Sequence, residues 1–237
     1  MFSYRVDPDA HGVGVAFADA VGPDGTVFDL GLSGYPGWRS PDWELVEAEL
    51  GVPVFNAYQV HSARVVEVDA HTDAQALARV EADALITASP GVGLAVRAAD
   101  CLPVLLADPG CGLIAAAHAG RVGLAGGVLA ATVAALTERG ATEVTAWIGP
   151  HICEACYEVP EELQAQICAT LPQAHATTSW GTPSLDLGAA AEAQLVGLGV
   201  RVVRVDPCTR TSPELHSYRR DGAAAGRQAG VIWRPSA

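Results

Sequence analysis

The chain has 237 residues, half of them hydrophobic, and carries a formal net charge of −13 at pH 7. That composition supplies a substantial core, and the acidic balance argues against a broad nucleic-acid or membrane surface. Every basic residue that is not His is Arg, and the absence of Lys excludes Schiff-base chemistry on a Lys amine and a Walker-type phosphate loop.

Up to about Leu50 the chain is rich in Gly, Asp and Pro. It reads as short strands and loops, then a helix over Asp42–Leu50 closed by Gly51. The apolar runs Ala82–Thr87, Gly93–Ala98, Leu102–Ala107 and Gly112–Ala117 are bounded by Gly, Pro or Asp, which predicts buried strands. An Ala/Leu-rich helix is predicted over Gly123–Arg139, ending at Gly140, followed by a strand over Val144–Ile148 and a helix over Glu161–Thr170. Asp186 is the predicted N-cap of a helix running to Leu198, with Gly199 just past its end and a strand over Val200–Val205. The mix points to one α/β or α+β domain with a mixed sheet over residues 1–237. The spacing is too irregular for a (β/α)8 barrel, and no Gly-x-Gly-x-x-Gly fingerprint opens a helix. No apolar run approaches bilayer-spanning length, no basic-then-apolar leader pattern follows Met1, and six cysteines are too few for a disulfide scaffold. A reduced, cytoplasmic protein is expected.

Three residues carry the chemistry. Cys101 and His118 each end an apolar run, and His61 lies 40 residues before Cys101. Two imidazoles and a thiolate suit a soft tetrahedral ion such as zinc, and three protein ligands leave one position open, as in catalytic sites. The competing reading is a metal-free Cys–His nucleophile pair, as in amide hydrolases. Asp100 adjoins Cys101 and reads either as an acid/base or ligand-orienting group, or as a backbone cap at a strand end. Gln59, two residues from His61, faces the same way in an extended segment and could meet a purine edge. Cys153-x-x-Cys156 is a single pair, with His151 just before it and Cys168 nearby; it reads as a loop before a helix, with a structural metal as the alternative, and Cys111 and Cys208 read as structural. His11, His71, His175 and His216 are assigned no role.

Several strings occur in a specific order: Gln59-Val60-His61, Ala82 to Thr87, Ala99-Asp100-Cys101-Leu102-Pro103, His118-Ala119-Gly120, Ile148-Gly149-Pro150, Cys156-Tyr157-Glu158-Val159, Cys208-Thr209 and Ser217-Tyr218-Arg219-Arg220-Asp221-Gly222. Over residues 50–235 the set resembles the YfiH-like family, once called laccase-domain or polyphenol oxidoreductase proteins. The resemblance implies an α+β domain of packed β layers with flanking helices. It implies metal ligands at His61, Cys101 and His118; by the residue reading above, Cys101, His118 and Asp100 are the catalytic candidates. It also implies phosphorolysis of adenosine, inosine or methylthioadenosine, with adenosine deamination as a side activity. Zinc is the expected ion. Copper, which the older family name suggests, fits less well, because one three-ligand site does not supply the several centres of a multicopper oxidase. A non-enzymatic partner protein is the remaining alternative.

The chain also departs from the family pattern. Where the family has His-Ala-Gly-Trp-Arg-Gly, this chain has His118-Ala119-Gly120-Arg121-Val122-Gly123, and the N-terminal Arg motif is absent around Ala16–Asp24. Arg is the natural phosphate clamp. The departure therefore predicts weak phosphorolysis, with Arg121, one residue out of register, as a candidate for holding phosphate; Arg219, Arg220 and Arg227 near the C-terminus read either as phosphate ligands or as surface or interface salt-bridge residues.

Overall fold

The computed structural model describes residues 1–8, 12–31 and 39–236, so His11 lies outside the described residues. The first part of the chain contributes β1 (Phe2–Val6), β2 (Gly14–Ala18), α1 (Asp42–Leu50), β3 (Val54–Phe55), β4 (Val65–Glu67) and α2 (Ala74–Leu77). The centre holds β5 (Ala84–Thr87), β6 (Val92–Ala98), β7 (Leu102–Asp108), β8 (Leu113–Ala119), α3 (Arg121–Ala125), α4 (Val128–Glu138) and β9 (Thr145–Ile148). The rest adds α5 (Glu161–Cys168), β10 (His175–Thr177), β11 (Pro183–Leu185), α6 (Leu187–Gly197), β12 (Arg201–Arg204), α7 (Tyr218–Asp221) and β13 (Gln228–Arg234).

Two mixed sheets dominate. One runs in the order β1-β2-β13-β6-β3, the other β12-β9-β7-β8-β5-β4, and β10 pairs with β11 apart from both. Side chains alternate across a strand, so a strand covered on both faces is apolar throughout. In β7, Val104 and Leu106 face the helices α4 and α6 through Leu129, Val133 and Ala190, while Leu105 and Ala107 face the other sheet through Phe17, Leu94 and Ile232. The far face of the five-stranded sheet packs Ala95 and Val231 against Trp43 and Val46 of α1. The order is helix, sheet, sheet, helix: an α+β fold with its deepest core between the sheets.

The local signals explain the boundaries. Gly51 ends α1 at φ 69°, a conformation that favours a residue without Cβ. The Asp186 carboxylate accepts the Ala189 amide at 2.8 Å and starts α6. One expectation needs correction: the helix predicted over Gly123–Arg139 is two helices, α3 and α4. They are separated at Gly126 and Gly127, the latter at φ 86°, a left-handed position incompatible with helix propagation. The strand predicted over Gly112–Ala117 extends to Ala119, which places His118 inside β8 rather than beyond it. Among the described residues no helix is long and apolar enough to cross a membrane.

Candidate active site and metal centre

Asp83, just before β5, organises the site. Its side chain is completely buried, and a buried carboxylate survives only if its lone pairs are satisfied. Oδ2 accepts the backbone N–H groups of Val60 (3.1 Å) and Ser62 (2.6 Å) and the Ser62 hydroxyl (2.8 Å); Oδ1 accepts the His61 amide at 2.9 Å and meets His118 Nδ1 at 2.8 Å. One carboxylate thus ties the 60–62 loop to β8. Burial alone would raise its pKa, but the hydrogen bonds from His118 and Ser62 hold it well below the usual carboxylate range. Burial pulls the His118 pKa down against the upward pull of Asp83. A neutral imidazole donating Nδ1–H to Asp83 leaves the Nε2 lone pair free, which is the carboxylate–histidine arrangement that orients a metal ligand.

Cys101 sits in the tight connection between β6 and β7. Its Sγ lies 3.7 Å from His61 Nε2, and the His61 and His118 rings meet edge to face at 4.8 Å between centroids. The ligand atoms of His61, Cys101 and His118 all lie within 4.8 Å of one another. A tetrahedral zinc site puts nitrogen and sulfur about 3.5 Å apart, so the donor set fits such an ion with little movement. His61 (φ 62°) and Asp100 (φ 92°) are the two non-glycine residues with positive φ among those described, and both are at this site. Such backbone is strained and persists only where surroundings hold it. Burial, then the adjacent Asp100, push the Cys101 thiol up to about 12. The thiol is therefore a poor nucleophile by itself at neutral pH and becomes a thiolate only beside a cation, which counts against the metal-free Cys–His reading.

Gly120 closes the site. A Cβ there would lie 2.5 Å from His61 Cδ2 and 2.9 Å from the Cys101 sulfur. Gly120→Ala should therefore push the ligands apart, costing about 1–3 kcal/mol in overpacking and weakening metal binding. Zinc titration of both proteins checks this, and equal affinities would show that the ligands are not confined there.

The buried His118 also fixes a pH dependence. With its folded pKa below the ordinary value of about 6.5, the unfolded chain takes up this proton first as pH falls. Stability from the neutral ring is complete above about pH 6.5 and declines below it. Asp83 is depressed as well, so its contribution is present above about pH 4 and fades only as pH falls further. Denaturant midpoints measured from about pH 8 to about pH 5 should start to fall near pH 6.5. A flat profile would mean that His118 titrates normally.

The centre opens into a cavity of about 730 Å³. Arg97 of β6 lines it, 9 % exposed, with Nη2 donating to the Ala57 carbonyl at 3.1 Å and Nε unpaired among the described residues. Burial, aided by Arg227 and Arg39, lowers its pKa to about 10, so it is still charged at neutral pH. Arg227 lines the same cavity, its Nη1 donating to the Ala225 and Gly226 carbonyls at 2.8 Å each. The Asp29 carboxylate, also in the cavity, accepts the backbone amides of Gly31 and Arg227 rather than either guanidinium. Tyr58, Tyr157 and Tyr218 supply aromatic surface.

The other expected residues fall into place around this cavity. Gln59 lines it, but its amide pairs both ways with the backbone of Arg97, at 2.8 and 2.9 Å, and so anchors the 57–62 loop to β6. Asp100 lines the cavity and accepts the Thr209 hydroxyl and the Arg219 amide, each at 2.6 Å. Arg219 stands over the Tyr157 ring at 5.1 Å and donates to the Glu158 carbonyl. Arg121 starts α3 beside Tyr157 and outside the cavity lining. Val122 is 56 % exposed. Arg220 donates to the carbonyls of Thr209, Ser212 and Leu215 and is a loop clamp. Sequence reasoning missed Asp83 and Arg97. The available signal for Arg97 was a charge inside a run otherwise apolar on both faces.

A double-sheet α+β fold with a two-histidine, one-cysteine cluster lining a cavity that also holds arginines defines the class. The chain belongs to the family described as multi-copper polyphenol oxidoreductase laccase, which matches residues 42–235. It is 48 % identical over 204 residues to a protein of Streptomyces coelicolor named purine nucleoside phosphorylase, covering 84 % of this chain and 83 % of that one. It is 33 % identical over 195 residues to adenosine deaminase RL5 from an unknown prokaryote, covering 74 % and 73 %. The crystal structure of a Neisseria meningitidis protein, NMB0706, superposes with a TM-score of 0.80 at 32 % identity, covering 99 % of both chains.

Proposed function

We propose that this chain is a purine nucleoside phosphorylase that cleaves adenosine, inosine or methylthioadenosine with phosphate, releasing the base and a pentose 1-phosphate. The observation that carries the reading is the buried Arg97, which makes no salt bridge to a carboxylate among the described residues, in the cavity that also holds the His61–Cys101–His118 cluster. A guanidinium kept charged at the wall of a cavity, with an unpaired N–H, is suited to a phosphate dianion. Arg227 adds a second positive charge to the same cavity. These two arginines supply what Val122 does not, so the reading favours efficient phosphorolysis over the weak activity that the family motif alone implies. The tyrosines offer flat faces for a purine.

His61, Cys101 and His118 would hold a zinc ion, which supplies a Lewis acid in the cavity when bound. In the reaction the phosphate oxygen bonds to the sugar C1 as the C1–N bond breaks, its electron pair leaving with the purine, which takes up the proton that the hydrogen phosphate dianion gives up. Arg97 and Arg227 position the dianion and keep it from water-like mobility. Asp83 acts through the cluster by fixing the His118 ring and the His61 backbone.

The named activity of the RL5 relative supports deamination of adenosine in the same cavity as a second activity, one that consumes no phosphate. The two separate in one experiment: adenine, inosine and pentose 1-phosphate are quantified from adenosine across a phosphate titration. Adenine with equimolar pentose 1-phosphate, saturable in phosphate, is expected; inosine formation independent of phosphate is expected alongside it. Adenine release without phosphate dependence would overturn the phosphorylase reading. Plasma emission analysis should find zinc in the wild type at about one equivalent more than in Cys101→Ala; equal contents would remove Cys101 from the ligand set.

A further inference from the structure

Behind the Tyr157 wall of the cavity the chain gathers three more cysteines. The sulfurs of Cys153, Cys156 and Cys208 all lie within 4.8 Å of one another, although Cys208 is more than fifty residues away in sequence. The partner that completes the Cys-x-x-Cys pair is therefore Cys208. Cys168, the neighbour in sequence, instead packs against the helix-side core. The backbone builds the arrangement. The amides of Cys156 and Tyr157 both donate to the Cys153 carbonyl at 3.0 Å, a tight turn bringing the first two sulfurs to one side. His151 bridges Cys208 as an isolated parallel β contact, and the Thr209 amide donates to the His151 carbonyl at 3.0 Å, which fixes the third. The Cys153 amide donates to Cys208 Sγ at 3.4 Å, an N–H directed at sulfur that favours the thiolate form.

We propose that Cys153, Cys156 and Cys208 form a second soft-metal site, a three-thiolate zinc site separate from the cluster in the cavity. Zinc–sulfur bonds of about 2.3 Å put tetrahedral sulfurs about 3.8 Å apart, so shifts of roughly 1 Å or less bring all three into the ion's first coordination sphere, with water in the fourth position. A disulfide would use two of the sulfurs and leave the third idle; an ion uses all three. The site clamps two loops that build the cavity wall. One carries Tyr157 and the Glu158 carbonyl that receives Arg219 Nη1 at 2.8 Å. The other carries Thr209, whose hydroxyl bonds Asp100 at 2.6 Å. Metal bound here holds the wall against the centre without touching substrate.

The experiment counts zinc on the full chain prepared with reductant and dialysed against zinc alone. Cys208→Ser should lower bound zinc by one equivalent relative to wild type and leave the zinc at the cavity cluster in place. Cys101→Ala should lower it by a different equivalent, and the double variant by both, so failure at one site is distinguishable from failure at the other. Cys168→Ser should bind as the wild type does. In the wild-type chain, zinc should protect Cys153, Cys156 and Cys208 from iodoacetamide while Cys111 stays reactive, a readout that needs no substitution. Wild-type zinc content in Cys208→Ser, unprotected cysteines in the presence of zinc, or a Cys153–Cys156 disulfide in anaerobically prepared protein would each overturn the proposal.

Discussion

Replacing Arg97 by Met is expected to abolish most phosphate-dependent base release while leaving the protein at least as stable as the wild type. The two effects share one cause. Arg97 is buried, and among the described residues its Nε is unpaired and its guanidinium makes one hydrogen bond, to the Ala57 carbonyl. Burial draws its pKa from 12.5 to about 10, and each pKa unit is worth about 1.4 kcal/mol, so the charge costs on the order of 3 kcal/mol. The bond lost with Ala57 returns about 1 kcal/mol of that, and Met fills similar space without a charge. A net gain of about 1–2 kcal/mol would raise Tm by a few degrees in a chain of this size. Removing one preorganised donor from a transition state typically costs on the order of 10²–10³-fold. Calorimetry and a phosphate titration on the same preparations test both halves. Unchanged kcat/KM for phosphate would show that Arg97 is not its anchor. Arg97→Lys, which keeps charge but not the planar fork, should fall between the two.

Asp83→Ala should be the most damaging single change at the site. Five donors lose their acceptor at once, in a place water cannot reach. Breaking a buried charged network by removing one member typically costs about 3–5 kcal/mol, and His118 and the strained His61 backbone lose what holds them. Metal affinity should fall by at least the 10–100-fold seen when a carboxylate behind a ligating histidine is removed. Asp83→Asn is the sharper test. Whichever carboxylate oxygen becomes the amide nitrogen must face N–H donors, so the isostere cannot satisfy both sides. It should fold less stably and bind zinc more weakly, whereas wild-type zinc affinity in a folded Asp83→Asn would mean that the His118 ring is oriented by packing alone.

Much of this site is legible in the sequence. Cys101 and His118 stood out because each is polar at the end of an apolar run, and a soft donor trio is chemically unusual wherever it falls. Asp186 with Gly199, and Asp42–Leu50 with Gly51, carried their own start and stop signals, and those helices lie where the signals put them. What stayed hidden depends on long-range pairing. Asp83 looks like any polar residue before a strand until the 60–62 loop folds over it. Arg97 looks like a strand-edge charge until β13 and β3 cover β6 on both sides. Gln59 and Asp100 suggest chemistry by type and position, and the structure pairs Gln59 with the Arg97 backbone and Asp100 with the Thr209 hydroxyl and the Arg219 amide, partners that no spacing rule encodes. Cys208 meets Cys153 and Cys156 only because β12 runs parallel to β9 and delivers the following loops side by side.

The strand order has a consequence for synthesis. β13 lies in the interior of the five-stranded sheet, between β2 and β6, although it follows every other strand described. A ribosome-bound chain that has emerged only through β12 can already assemble the six-stranded sheet and with it His118 and Asp83. It still exposes β2 and β6 as two open edges, the kind of surface that recruits foreign strands and seeds aggregates. Arg227 and its bond to Asp29 arrive with the same late segment. The centre that would grip the ion therefore matures ahead of the wall that would grip the anion, and a chain interrupted between them would be both incompletely equipped and adhesive.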